Sequence, residues 1–205
     1  NGNLTGKTDA KGQTISYTFD LNNRLTGKTS SVESVAYTYD AESNLLTVQD
    51  ANSNTVNIYD DLSRLITQTQ TSGTFSKTIG YGYYEDGTRS SMLDAEGNLT
   101  EYLYDRAKRL TTLKRNSTPE ATYQYNPLGL RMRLTYGNGT YAEYEYNHPL
   151  RWLTALRNKK SDGITIVSSF VYTHDLVGNR KTMTLSDGAL VTYGYDNIYQ
   201  LTSFG

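Results

Sequence analysis

Apolar and polar positions alternate in short runs along this chain, and the runs share one form: aromatic, any residue, aromatic, then Asp or Asn. The copies read Tyr17-Thr18-Phe19-Asp20, Tyr37-Thr38-Tyr39-Asp40, Asn57-Ile58-Tyr59-Asp60, Tyr81-Gly82-Tyr83-Tyr84 and Tyr102-Leu103-Tyr104-Asp105. They continue as Tyr123-Gln124-Tyr125-Asn126, Tyr144-Glu145-Tyr146-Asn147, Tyr172-Thr173-His174-Asp175 and Tyr193-Gly194-Tyr195-Asp196. Fourth positions lie 20, 20, 24, 21, 21, 21, 28 and 21 residues apart, a period of about 21 with two insertions. A fixed period of this size marks a tandem-repeat architecture.

Aromatics at i and i+2 share one face of a strand. Tyr, Phe and Thr suit a pleated, half-buried surface. The Asp or Asn that closes each run can bond its own backbone two residues on and start a turn, with Gly or Asn supplying positive φ. Four residues after the acid comes Arg or Asn in most copies (Arg24, Asn44, Arg64, Arg109, Arg151, Asn179), and Leu-Thr usually follows. A second turn-like cluster separates the copies, as in Asp9-Ala10-Lys11-Gly12 and Asp94-Ala95-Glu96-Gly97-Asn98. Each repeat therefore reads as two short strands and two turns. No sustained i, i+3, i+4 apolar stripe appears, so the pattern predicts an all-β chain of about 18 to 20 strands. The expected architecture is one long, twisted, curling antiparallel sheet of tandem hairpins, with residues 1–205 forming a single array of nine to ten repeats. Insertions fall near 70–80 and 157–169. In the second, Asp162-Gly163 between alternating segments signals a lengthened hairpin. The opening Asn1-Gly2-Asn3-Leu4-Thr5 reads as the end of a repeat, and we expect a fragment of a longer repeat region.

Composition follows from the repeat. The chain has 19 Tyr against 4 Phe and 1 Trp, and fifteen of the tyrosines occupy the aromatic slots. Tyrosine offers large contact area while its hydroxyl reaches water or a partner. The formal charge of −1 gives no clustered basic excess for nucleic acid and does not suggest an anionic-membrane binder. There is no Cys, which excludes disulfides and thiolate metal sites. No apolar run approaches the length of a membrane helix.

These runs resemble the YD repeats of the RHS family, found in bacterial RHS toxins, the C component of insecticidal toxin complexes, wall-associated proteins and teneurins. The family pattern is roughly Tyr-x-Tyr-Asp-x-x-Gly-Arg/Asn-Leu-Thr, and nine copies in phase span nearly the whole chain. Departures are Tyr84 in place of the acid, Asn57 in place of the first aromatic, and turn glycines in only some copies, such as Gly129 and Gly178. The resemblance implies a spiralling β-sheet strip that builds a hollow shell around a toxin domain. It also implies a secreted or surface-displayed protein of bacterial origin, whose partners are further YD repeats in the same or neighbouring chains and an encapsulated toxin domain. Self-cleavage in the family uses an Asp-Pro-rich motif; here Pro119, Pro127 and Pro149 do not follow Asp.

Candidate chemistry is sparse. The repeated acids read as turn formers rather than calcium ligands, since the Gly-Gly-x-Gly-x-Asp spacing of calcium-binding β-helices is missing. Arg24, Arg64, Arg109 and Arg151 are expected to pair with acids of adjacent repeats, with anion binding as the sharper alternative. Glu143 and Glu145 invite a glycosidase carboxylate pair, yet two acids on one strand face are more often solvated. With only His148 and His174, no Ser-His-Asp constellation is credible. We assign no catalytic residue, cofactor or metal. The motif residues (Tyr17 to Asp196 above) are expected to be structural, and the function a scaffold: the β-sheet wall of a shell, filament or surface protein. Carbohydrate binding on exposed Tyr rows is the alternative, though such modules are usually Trp-rich.

Overall fold

The computed structural model describes residues 2–205; Asn1, part of the N-terminal remnant, lies outside the described residues. The chain divides into two compact units, Asn1–Thr100 and Glu101–Gly205. Every regular element among the described residues is a β-strand.

The N-terminal unit contains β1 (Gly6–Thr8), β2 (Thr14–Phe19), β3 (Leu25–Thr29), β4 (Ser34–Tyr39) and β5 (Leu45–Gln49). It continues with β6 (Asn54–Tyr59), β7 (Leu65–Ser72), β8 (Phe75–Tyr83) and β9 (Arg89–Leu93). Each strand pairs antiparallel with the next. Strand β10 (Leu99–Tyr104) crosses the boundary between the units. The C-terminal unit holds β11 (Leu110–Arg115), β12 (Thr118–Tyr125), β13 (Arg131–Tyr136), β14 (Tyr141–Glu145) and β15 (Ala155–Lys159). It ends with β16 (Ile166–His174), β17 (Arg180–Leu185), β18 (Leu190–Tyr195) and β19 (Leu201–Phe204), again paired in sequence order. This all-β meander of 19 strands is the class the repeat predicts.

Strands end where the motif says they should. The second aromatic closes the strand in most copies, as Phe19, Tyr39, Tyr59, Tyr83, Tyr104, Tyr125, His174 and Tyr195 do. Just before that aromatic the register shifts, at Thr18/Phe19, Thr38/Tyr39, Ile58/Tyr59, Gly82/Tyr83, Gln124/Tyr125, Thr173/His174 and Gly194/Tyr195. One extra residue on the outgoing strand raises the local twist. The first aromatic keeps an apolar or aliphatic-stemmed cross-strand partner in most copies: Tyr17 opposes Lys28, Tyr37 Val48, Tyr123 Leu134, Tyr144 Leu156 and Tyr172 Met183. The other face is hydroxyl-rich, with contacts such as Thr38–Thr47 (2.6 Å) and Thr69–Thr78 (2.8 Å).

The core is thin, as a single sheet layer requires. Val35 is the buried apolar residue of the N-terminal unit. In the C-terminal unit Ala121, Leu134 and Ala142 cluster, with Leu113, Tyr123, Tyr144 and Leu156 packed around them. Asn57, in an aromatic slot, is 6% exposed. Its amide is bonded at both ends, donating to Leu45 O (2.9 Å) and accepting from Gln68 (3.0 Å), which offsets the cost of burying a polar group.

The insertions lengthen hairpins. Around 70–80, β7 and β8 extend and meet at a two-residue loop, Gly73-Thr74. In the second insertion Asp162 organises the turn between β15 and β16 by accepting from the N–H groups of Ile164 and Thr165, 2.8 Å each.

Positive φ falls where each turn needs it, but not always on Gly or Asn: Ser43, Ser63, Lys108, Arg151 and Tyr199 adopt it too. The turn geometry, a type I turn followed by one left-handed residue, dictates backbone shape and overrides side-chain preference. Tyr199 (φ 64°) is a bulky, exposed residue in that region, where L-residues lose roughly 1–2 kcal/mol. Tyr199→Gly is therefore expected to raise stability by about 0.5–1 kcal/mol in urea titration; an unchanged or lower midpoint would contradict a strained turn.

Candidate functional site

The residues that bring chemistry to this fold converge at the seam between one hairpin and the next. Asp20 shows the construction. Its Oδ1 accepts from the N–H groups of Asn22 and Arg24, both 2.9 Å, and its main-chain oxygen accepts from Asn23 N–H. The turn thus carries its residue four places on back beside the carboxylate, and Arg24 Nε donates to Asp20 Oδ2 at 2.7 Å. Held this way, the guanidinium points across the seam. Arg24 Nη1 donates to Asp40 O at 2.7 Å, and the group lies 4.8 Å above the Tyr39 ring. In return, Tyr39 donates its hydroxyl hydrogen to Leu25 O (2.9 Å), at the start of the preceding repeat's outgoing strand.

Two further copies repeat the arrangement. Arg64 is held by Asp60, donates to Tyr84 O (3.1 Å) and lies 4.8 Å above Tyr83, whose hydroxyl returns to Leu65 O (2.9 Å). Arg109 is held by Asp105, donates to Asn126 O (3.4 Å) and lies 4.8 Å above Tyr125, whose hydroxyl returns to Leu110 O (2.8 Å). The arginines therefore pair with the acid of their own repeat and reach the neighbour through its main-chain carbonyl, not through its carboxylate as the spacing suggests. The cause is the turn, which leaves each carboxylate already occupied by the Arg four residues on.

Where Asn replaces Arg, a shorter link remains. Asn44 donates to Asp40 (2.9 Å) and to Ser63 Oγ (3.0 Å), and Tyr59 still donates to Leu45 O (3.0 Å). Asn179 bonds Asp175 (2.8 Å), and Tyr195 donates to Arg180 O (3.0 Å). A second class of arginine, at the start of outgoing strands, covers the first-slot rings: Arg89 over Tyr81, Arg131 over Tyr123 and Tyr144, Arg180 over Tyr172 and Tyr193. Nothing in the sequence period flags this class. Ring faces at these positions are covered by guanidinium rather than open to a stacking sugar.

Degenerate copies keep the seam by other means. With Tyr84 in the acid position, Asp86 supplies the carboxylate by accepting from Thr88 N–H (3.0 Å). In the seventh copy Tyr146 and Asn147 lie beyond β14, and Asn147 stands one position before the turn. His148 takes the hinge, its Nδ1 accepting from Leu150 N–H (3.1 Å). Arg151 (φ 61°) fills the left-handed position and Trp152 the bridging one. Trp152 stacks on His148 (4.1 Å, 12°) and meets His174 (5.3 Å), so three rings replace acid, arginine and tyrosine. Arg151, grouped by spacing with the bridging arginines, is thus a turn residue. His174 is a packed ring: burial pushes its imidazole down, and Arg180 and His148 push the same way.

The paired carboxylates of the enzymatic alternative are neutralised. Glu143 bonds Lys159 (2.8 Å) and Glu145 bonds Arg157. Among the described residues no group of three or more potential ligands could hold a metal ion.

Electrostatics at the seams follow the geometry. The Arg64 side chain, then its main-chain N–H, holds the Asp60 carboxyl below the ordinary 3.8, and Arg109 does the same for Asp105. At Asp20 the main-chain N–H of Arg24 leads. A carboxyl depressed by folding contributes stability that is complete above its unfolded value and lost as pH falls through the folded one. Stability should therefore drop as pH falls below 3.8. Asp105→Asn, which keeps the turn acceptor, should flatten that dependence in acid-unfolding curves. For the ring contact, a double-mutant cycle on Arg109→Ala and Tyr125→Ala should give a coupling of about 0.5–2 kcal/mol. Tyr125→Phe alone should cost about 1 kcal/mol through the lost hydroxyl bond. A coupling of zero would remove the seam as a source of cohesion.

Comparison with known proteins agrees with this geometry. The family model described as RHS Repeat matches residues 1–32. Curated proteins give no match to the chain. Among solved structures, the chain is similar to part of a Tc holotoxin pore from Photorhabdus luminescens bearing a TccC3 mutation, with 18% identity and a TM-score of 0.80 over 99% of this chain. It is similar also to TcdB2-TccC3 without the hypervariable C-terminal region, with 16% identity and a TM-score of 0.84 over 99% of this chain. For TcdB2-TccC3-Cdc42 the identity is 15% and the TM-score 0.66 over 99% of this chain. The chain spans only 12%, 12% and 13% of those chains respectively. At such identities the likeness is one of fold. That fold, together with an RHS Repeat match over residues 1–32 and nine copies in phase, agrees with the chain's resemblance to YD, or RHS, repeats.

Proposed function

We propose that this chain is a length of wall: a non-catalytic β-sheet scaffold that, joined to further YD repeats, helps enclose a toxin domain in a bacterial protein acting at the cell surface or outside the cell. The seam carries the reading. Acid, arginine and aromatic residues, the usual candidates for chemistry, are here engaged in fastening one hairpin to the next. Support comes from the shared fold with TcdB2-TccC3, where the chain matches a small part of a much longer protein. A scaffold also accounts for degenerate copies such as Asp86 and Trp152, which preserve a contact while changing its chemistry. The adhesive alternative loses ground because arginines cover the ring faces it would use.

Electron microscopy of the full-length protein containing this segment, combined with a proteolysis time course, tests the proposal. The expected outcome is a hollow particle whose enclosed segment resists protease until the particle is unfolded. An open fibre, or a glycan-array signal abolished by Tyr→Ala changes in the slots, would overturn it.

A further inference from the structure

The two units use the same hairpin turn but decorate its tip differently. The tip comprises the three residues after the hinge residue. Across the N-terminal unit's four YD turns, every charged tip residue is acidic: Glu42, Asp61, Glu85 and Asp86. Across the C-terminal unit's five, every charged tip residue is basic: Arg106, Lys108 and Arg151. The near-neutral total hides this segregation. The central tip residue differs as well. It is Ala107, Leu128, Leu150, Val177 and Ile198 in the C-terminal unit, against Asn22, Glu42, Leu62 and Asp86 in the other. Leu128, Leu150, Val177 and Ile198 are 57%, 61%, 58% and 70% exposed, and Leu176 is 97% exposed. The turn does not need an apolar side chain at its centre, because three of the N-terminal unit's four turns fold with Asn22, Glu42 or Asp86 there. Leu62 and the neighbouring tip residue Leu21 are nevertheless exposed apolar residues in that unit too.

We propose that the hairpin tips of the C-terminal unit form a docking edge for a lipid surface bearing anionic headgroups. Successive YD turns are two strands apart, about 10 Å, so the aliphatic side chains stand singly, or as the one pair Leu176-Val177, with polar backbone between turns. A protein interface needs a packed, contiguous apolar centre. An acyl layer accepts separate side chains, and nearby Lys and Arg attract acidic headgroups. A second copy of the chain fits less well. The acidic tips of its N-terminal unit would match the charge, but would set Asn22, Glu42 and Asp86 against Leu, Val and Ile.

The test is co-flotation of the full chain with phosphatidylcholine vesicles, with and without about 30 mol% phosphatidylserine, at low and high salt. Binding is expected only to the anionic vesicles and should weaken with salt. Leu150→Asp with Ile198→Asp should lower it at least ~10-fold, as two apolar anchors become like-charged with the surface. Leu21→Asp with Leu62→Asp, the equivalent change in the N-terminal unit, should leave it unchanged. Thermal melts of both variants confirm that the exposed tips were altered without unfolding. Absence of flotation, equal loss in both variants, or tip-dependent association with a second copy by light scattering would each overturn the proposal.

Discussion

A guanidinium fixed by the aspartate four residues before it is the contact on which the rest depends. Antiparallel hydrogen bonds alone would join any strand to any other. The side chain of Arg24, Arg64 or Arg109 adds direction, because the turn fixes where its free nitrogen points. That nitrogen meets a main-chain carbonyl and that plane meets a ring, both in the following repeat. Arginine suits the task where lysine would not, since a planar fork serves an acid, a carbonyl and an aromatic face together. An exposed ion pair by itself contributes little; here it holds a reach across the seam in place.

Thin burial makes such fastening necessary. Few side chains are fully enclosed, and the aromatic rows are half-buried rather than sealed. Stability in such an array comes from each repeat and from its contact with the next. Tyrosine then has an advantage over phenylalanine: its ring takes the arginine, and its hydroxyl finds a carbonyl one repeat back. Asn57 shows that the slot tolerates a polar side chain provided both ends are bonded.

Much of this was legible in the sequence. Strand ends at Tyr39 or Tyr125 and starts at Leu45 or Leu110 follow from the motif, as do the all-β class and the turn role of Asp20. What stayed hidden involves partners that a sequence does not print. The carbonyl of Asp40, which Arg24 reaches, is invisible to a search for complementary charges, which offers a carboxylate instead. Counting by position also fails where the chain slips: Asn147 looked like a hinge, while one inserted residue passes that role to His148. The strand-start arginines Arg89, Arg131 and Arg180 occupy a place where other copies have Leu, so no repeat average exposes them.

The reciprocity of the seam has a consequence for how such a protein grows. Each repeat gives an arginine or its substitute forward and receives a hydroxyl from ahead, and the exchange involves only adjacent hairpins. Copying one period of about 21 residues therefore adds one joint identical in kind to the old ones, with no distant contact to mend. Unequal recombination within the coding sequence can lengthen or shorten such an array in whole units, and later point changes like Trp152 can individualise a joint without breaking it.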